Sequence, residues 1–173
     1  MDYTVEYSNR KTIGIYIKGE KVIVRAPKRA PKKLINEFVL KNEEWIKTHL
    51  EKSIQKANFY DNITDEEKKK YKKLAKEYFT IKTREYADIM GIKYGRITIT
   101  SAKKRFGSCS SKGNISYSYL LYLYPEAARE YVIVHELAHR VYMNHSPDFY
   151  RFIERYMPDY KLRKKLLSIA PQK

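Results

Sequence analysis

The sequence predicts an α+β protein, and three observations carry the prediction. Short runs in which β-branched or aromatic residues alternate with polar ones occur near the N-terminus and again after residue 95. Between them lies a long amphipathic stretch opened by Thr64-Asp65-Glu66-Glu67, a hydroxyl followed three residues later by a glutamate, which is the pattern of a capping box. Finally, residues 132–145, VIVHELAHRVYMNH, keep helical spacing with apolar side chains on most sides, as a buried helix does.

With 173 residues, 43% of them hydrophobic and 32% charged, the chain is long enough to bury a core and too apolar to be disordered. It reads as one continuous globular unit, with a sheet and helix over residues 1–56 and a catalytic region over residues 57–173. No apolar run approaches the ~20 residues that span a bilayer, and MDYTVEYSNRK lacks the apolar core of a signal peptide. The expectation is therefore a cytoplasmic protein without membrane contact. A single cysteine, Cys109, excludes an intrachain disulfide and a multi-cysteine zinc cage. The net charge of +16 invites non-specific association with DNA or RNA, although solvated lysine-rich helix faces account for it equally well. No base-reading motif accompanies it.

In chain order, residues 3–7, 12–17 and 21–25 suggest three strands of a small antiparallel sheet, the last two joined by a turn at Gly19. Pro31 suits the first turn of a helix, and Leu34, Ile35, Phe38, Val39, Trp45 and Ile46 recur at helical spacing to about Leu50. His49 falls near that helix end, far from the other histidines. Residues 57–63 read as a connector. The capped helix then presents Tyr71, Leu74, Ala75, Tyr78, Phe79, Tyr86 and Met90 on one face and stops at Gly91. Residues 96–101 and 115–124 read as two strands joined by a loop carrying Arg105, Phe106 and Cys109. Pro125 opens the helix of the histidines, expected to run through Val141. Ser146-Pro147 has the form of an N-cap followed by proline at the first helical position, Met157-Pro158 ends that helix, and Asp159 can cap a last basic one.

The chemistry lies in HELAH. On a helix His135 and His139 stand about 40° apart and roughly 6 Å along the axis, so two imidazoles can share one metal ion while Glu136 reaches a water beside it. A chance HExxH match in a chain of this length is on the order of half a per cent. Buried imidazoles beside a buried carboxylate are costly without a partner, and a metal ion supplies one. His145 is the favoured third ligand, with Glu154 on the following helix as the alternative. Tyr142 stands where a turn-making glycine would be needed in H-E-x-x-H-x-x-G-x-x-H, so the chain is expected to reverse instead at Asn144, a residue that tolerates left-handed backbone. Three neutral imidazoles would leave a zinc ion a fourth position for water, with Glu136 as general base and Tyr142 or Arg105 as the oxyanion donor. Cys109 either packs in its loop or closes the metal site as a fourth ligand.

HELAH, the tripeptide Asn144-His145-Ser146 with Phe149 behind it, the upstream FGSCS, and Val24-Arg25-Ala26-Pro27 followed by a Trp45-Ile46 helix together resemble the YgjP-like metal-dependent hydrolases, a family of zinc metallopeptidases. The likeness runs through essentially the whole chain, with Phe106 where family members usually carry tryptophan. It implies a zincin-like, gluzincin-type domain with one zinc ion held by His135, His139 and His145, Glu136 as the catalytic carboxylate, and a peptide or protein substrate. A more distant resemblance is to SprT-like and WLM proteases, which act on proteins crosslinked to DNA. Two further readings stand beside this one: a basic nucleic-acid-binding module with a structural zinc, and a zinc hydrolase of a non-peptide substrate.

Overall fold

The computed structural model describes residues 2–169 and Pro171. The chain divides into two compact units, residues 1–62 and 63–173. In the first, β1 (Thr4–Ser8), β2 (Gly14–Lys18) and β3 (Lys21–Pro27) form a sheet of order β1-β3-β2, followed by α1 (Lys32–Lys41) and α2 (Glu43–Asp61). The alternation in β3 turns Val22, Val24 and Ala26 to one side, where they pack with Ile35 and Val39 of α1 and Ile46 of α2. β2 is antiparallel to β3, but β1 runs parallel to it, with Val5 opposite Val24. The sheet is thus mixed where the sequence suggested an antiparallel one.

The single helix expected from Pro31 to Leu50 is two helices. Asn42 breaks it: its side-chain amide donates to the Phe38 carbonyl at 2.7 Å, taking an acceptor that the helix would otherwise use, and its own carbonyl accepts from Ile46 N–H to start α2. α2 then continues through the expected connector to Asp61, with Tyr60 buried near its end.

In the second unit α3 (Asp65–Met90) begins as expected. Thr64 Oγ1 accepts from Glu67 N–H at 3.2 Å and Glu67 Oε2 accepts from Thr64 N–H at 2.9 Å, while Gly91 ends the helix in the left-handed conformation with φ of 65°. Its buried stripe is Ala75, Phe79, Thr83, Ala87 and Met90. β4 (Ile97–Thr100), β5 (Gly107–Cys109) and β6 (Ile115–Ser118) make a second mixed sheet of order β4-β6-β5, with β4 parallel and β5 antiparallel to β6. Part of the expected loop is therefore the edge strand β5. The register puts Ile97, Ile99, Gly107, Cys109, Ile115 and Tyr117 on one face, where Tyr117 stacks on Phe79 at 4.6 Å. Thr98, Thr100, Ser108, Ser116 and Ser118 occupy the other.

The strand expected to reach Tyr124 stops at Ser118 and gives way to a 3₁₀ turn, Tyr119–Leu123. Ser118 Oγ donates to the Ala102 carbonyl at 2.8 Å and accepts from Leu120 N–H at 3.3 Å, which caps the turn and buries Leu120 and Leu121. α4 (Glu126–Ala138), α5 (Pro147–Tyr156) and α6 (Tyr160–Leu166) complete the unit. α4 is buried at Val132, Ile133, Val134, Leu137 and Ala138, as its sequence requires. Arg163 of α6 pairs with Glu130 of α4 at 2.5 Å and with Asp159 at 2.8 Å. Asp159 stands at the start of α6 without a side-chain cap bond, its carboxylate being given to Arg163. No helix among the described residues is long and apolar enough to cross a membrane.

Candidate metal centre

His135 lies within α4 and His139 at its C-cap, so the helical spacing puts both imidazoles on one face. α4 ends at Ala138, three residues before the expected Val141. The chain turns at once: Arg140 N–H donates to Leu137, and the amides of Val141 and Tyr142 both donate to Ala138. His139 Nδ1 fastens this turn on the Tyr142 carbonyl at 3.0 Å. The left-handed reversal expected at Asn144 does not occur, since every described residue with positive φ is a glycine. The turn that brings His145 back is made directly after the motif by backbone and His139 itself. Ser146 then caps α5, accepting from Phe149 N–H at 3.3 Å, with Pro147 in the first turn.

The result is a cluster in which one ring nitrogen each from His135, His139 and His145 lies within 4.8 Å of the others. His135 Nε2 and His145 Nε2 face each other at 3.1 Å. Ligand nitrogens at about 2.0–2.1 Å from a tetrahedral zinc are about 3.3 Å apart, so the spacing suits one ion. The second ring nitrogens support this orientation. A carbonyl only accepts, so His139 Nδ1 carries the proton and leaves Nε2 free as a ligand; His135 Nδ1 faces the Tyr131 hydroxyl at 3.4 Å. Phe149, fully buried, touches all three rings at centroid distances of 4.9, 4.7 and 5.0 Å and closes one side of the cluster.

Glu136, 5% exposed, sits beside the cluster on the same helix. Its carboxylate lies against Gly107 of β5, where a β-carbon would come within 2.5 Å of Oε1 and 2.8 Å of Cγ and Cδ. Burial pushes the Glu136 carboxyl up to about 8 in the metal-free protein, and the Arg105 guanidinium opposes part of that rise. Burial is also the main reason that His135 falls to about 3, followed by the neighbouring charges of His139, His145 and Lys164. His139 is lowered for the same first reason. Neutral imidazoles are the metal-binding form, so these shifts favour ligation.

The other candidates separate. Glu154 is exposed and stands outside the histidine cluster, as does Cys109, half-buried in β5 with its thiol pushed up mainly by burial. His49 stacks on Trp45 at 4.0 Å and donates from Nδ1 to the Trp45 carbonyl at 2.8 Å, within the first unit. Tyr142 contributes its carbonyl to His139, while its ring packs on Phe152 at 5.7 Å. Arg105 is exposed on the loop before β5. Gly107 and Tyr131 were not anticipated from the sequence. Tyr131 stands four residues before His135, a spacing that by itself predicts contact on a helix. Gly107 lay within FGSCS, but nothing local says what its missing side chain makes room for.

Two crystal structures show partial likeness: the zymogen of the metallopeptidase abylysin of Pyrococcus abyssi, 24% identical over 51% of this chain and 90% of that one, with a TM-score of 0.47, and the zymogen of the metallopeptidase jannalysin of Methanocaldococcus jannaschii, 21% identical over 53% and 97%, with a TM-score of 0.45. No curated protein gives a significant match. A family model described as YgjP-like, metallopeptidase domain, matches residues 11–71 and 60–170, nearly the whole chain. With the histidine cluster at its centre, the chain belongs to the YgjP-like metallopeptidase family.

Proposed function

We propose that the protein is a zinc-dependent peptidase in which His135, His139 and His145 hold the ion and Glu136 is the general base. The observation that carries this reading is the convergence of three ring nitrogens, two of them from the helix that also carries the buried Glu136. Zinc bound by three imidazoles keeps a position open, acidifies water there and polarises a carbonyl. The chain's own part is to orient and to move a proton. Glu136 takes the proton of the attacking water and delivers it to the departing amine, and its seat on Gly107 fixes where that proton is held. Tyr131 and the Tyr142 carbonyl hold the two helical imidazoles in place.

Glu136→Gln keeps the shape of the side chain and the three histidines. It is expected to retain about one zinc per chain while casein hydrolysis falls by about 10²–10⁴-fold. Undiminished hydrolysis would sink the assignment of Glu136, and a purified protein that takes up no zinc would sink the ligand set. The charge of +16 supports a finer reading, that the peptidase works close to nucleic acid.

A further inference from the structure

A second feature lies on the other side of Gly107 from Glu136. There a hollow of about 90 Å³ is lined by Thr100, Arg105, Gly107, Ser108, Ser116 and Ser118, together with the apolar Ala102 and Phe106. That is room for about three water molecules, or for one carboxylate with its methylene group. Ser108 and Ser116 are directly opposed across β5 and β6, so their side chains emerge side by side on the hydroxyl-bearing face of the sheet. Neither hydroxyl has a hydrogen-bond partner among the described residues, and Arg105 has no ion pair among them. The hydroxyls of Thr100 and Ser118 are by contrast already used, on the carbonyls of Tyr117 and Ala102. The hollow therefore offers two free donors and a guanidinium that forms no ion pair among the described residues, though it feels the Glu136 carboxyl, and no carboxylate lines it. Such a donor set matches an oxyanion.

We propose that this hollow is a substrate subsite that receives a carboxylate, and that the enzyme prefers to cut beside acidic residues. The inference rests on the peptidase reading above. Gly107 is shared by the hollow and by the seat of Glu136, so only the thickness of one strand separates bound carboxylate from general base. β5 is the edge strand of its sheet, and with an extended peptide advancing about 3.3 Å per residue around that edge, the acidic residue is expected within about two positions of the cut bond. Arg105 is then a specificity residue: its guanidinium takes the carboxylate, and Ser108 and Ser116 donate to the remaining lone pairs.

The test uses the zinc-loaded full chain and a library of C-terminally amidated decapeptides, with cut sites read by mass spectrometry. Aspartate or glutamate is expected to be enriched within two positions of the cut. For a matched pair of peptides differing as glutamate and glutamine, Arg105→Gln is expected to reduce the preference by about 10–100-fold, chiefly through KM, and Ser108→Ala by a few-fold. Repeating the pair with free C-termini separates a side-chain carboxylate from a terminal one. Equal losses on both peptides would place Arg105 at the reacting carbonyl and overturn the proposal, as would the absence of any acidic preference. If no peptide is cut, the peptidase reading has failed on its own account. The hollow is then read by titrating N-acetylglutamate amide and N-acetylglutamine amide while following the backbone amide signals of Gly107, Ser108 and Ser116. Shifts with the glutamate compound alone sustain the site, and equal or absent shifts remove it.

Discussion

Gly107 and Glu136 are a pair in which one residue's missing atoms define the other's position. A methyl group at 107 would overlap Oε1, Cγ and Cδ of Glu136, so Gly107→Ala must push the carboxylate away or move β5. The expected outcome is zinc content near that of the parent, with kcat reduced by about 10²-fold or more, because displacing a proton-transfer group by about 1 Å has that cost. A pH profile accompanies this. Glu136 is raised from 4.5 to about 8 when the metal-free protein is folded, so the folded state binds the proton more tightly than the unfolded one. The stability this contributes is present below about 4.5 and is lost as pH rises through about 8. Metal-free Glu136→Gln should therefore melt above the metal-free parent at pH 8 and higher, with the gap closing toward pH 4.5; an equal gap at all pH values would contradict the buried carboxyl. His135 acts in the opposite direction, its contribution being present above 6.5 and lost as pH falls toward about 3.

At the level of elements, α3 depends on a cap made by two side chains. Thr64→Ala removes one half of it and is expected to lower stability by about 1 kcal/mol, measured by chemical denaturation with an unchanged m-value. That cap was legible in the sequence because all of its atoms lie within four residues, and so was the Ser146-Pro147 start of α5. The pairing of His135 and His139 was legible for a similar reason, since a spacing of four on one helix already sets the face they share, whereas the turn that returns His145 comes before Asn144, where the sequence suggested it. What could not be read depends on partners distant in sequence. The parallel course of β1 beside β3 pairs residues 4–8 with residues 23–27, a contact that no local pattern marks. The end of β6 is set by the Ala102 carbonyl, sixteen residues earlier, which claims Ser118. Asn42 is intermediate: its amide bonds back to Phe38, a local event, yet the apolar spacing on either side carries across the break and hides it. The early end of α4 was hidden because Arg140, Val141 and Tyr142 include no glycine or proline to mark a stop, while the Nδ1 bond of His139 to Tyr142 belongs to the turned form alone.

For the molecule as a whole, the charge of +16 sets long-range behaviour irrespective of fold. Association with duplex DNA is expected at low salt and should weaken steeply, with a linear fall of log affinity against log salt. Binding absent at low salt would separate this enzyme from nucleic acid. A different property follows from where the parts of the site lie along the chain. The three histidines of the proposed metal site fall within eleven consecutive residues, so they can meet after closing only short loops. Glu136 takes its working position only when β5, from Gly107, has been paired and brought against α4. On the proposed ligand set, capture of an ion needs only local contacts, whereas the seating of Glu136 needs a contact between segments further apart along the chain. A chain emerging from synthesis can be loaded with metal before it is able to cut anything, itself included.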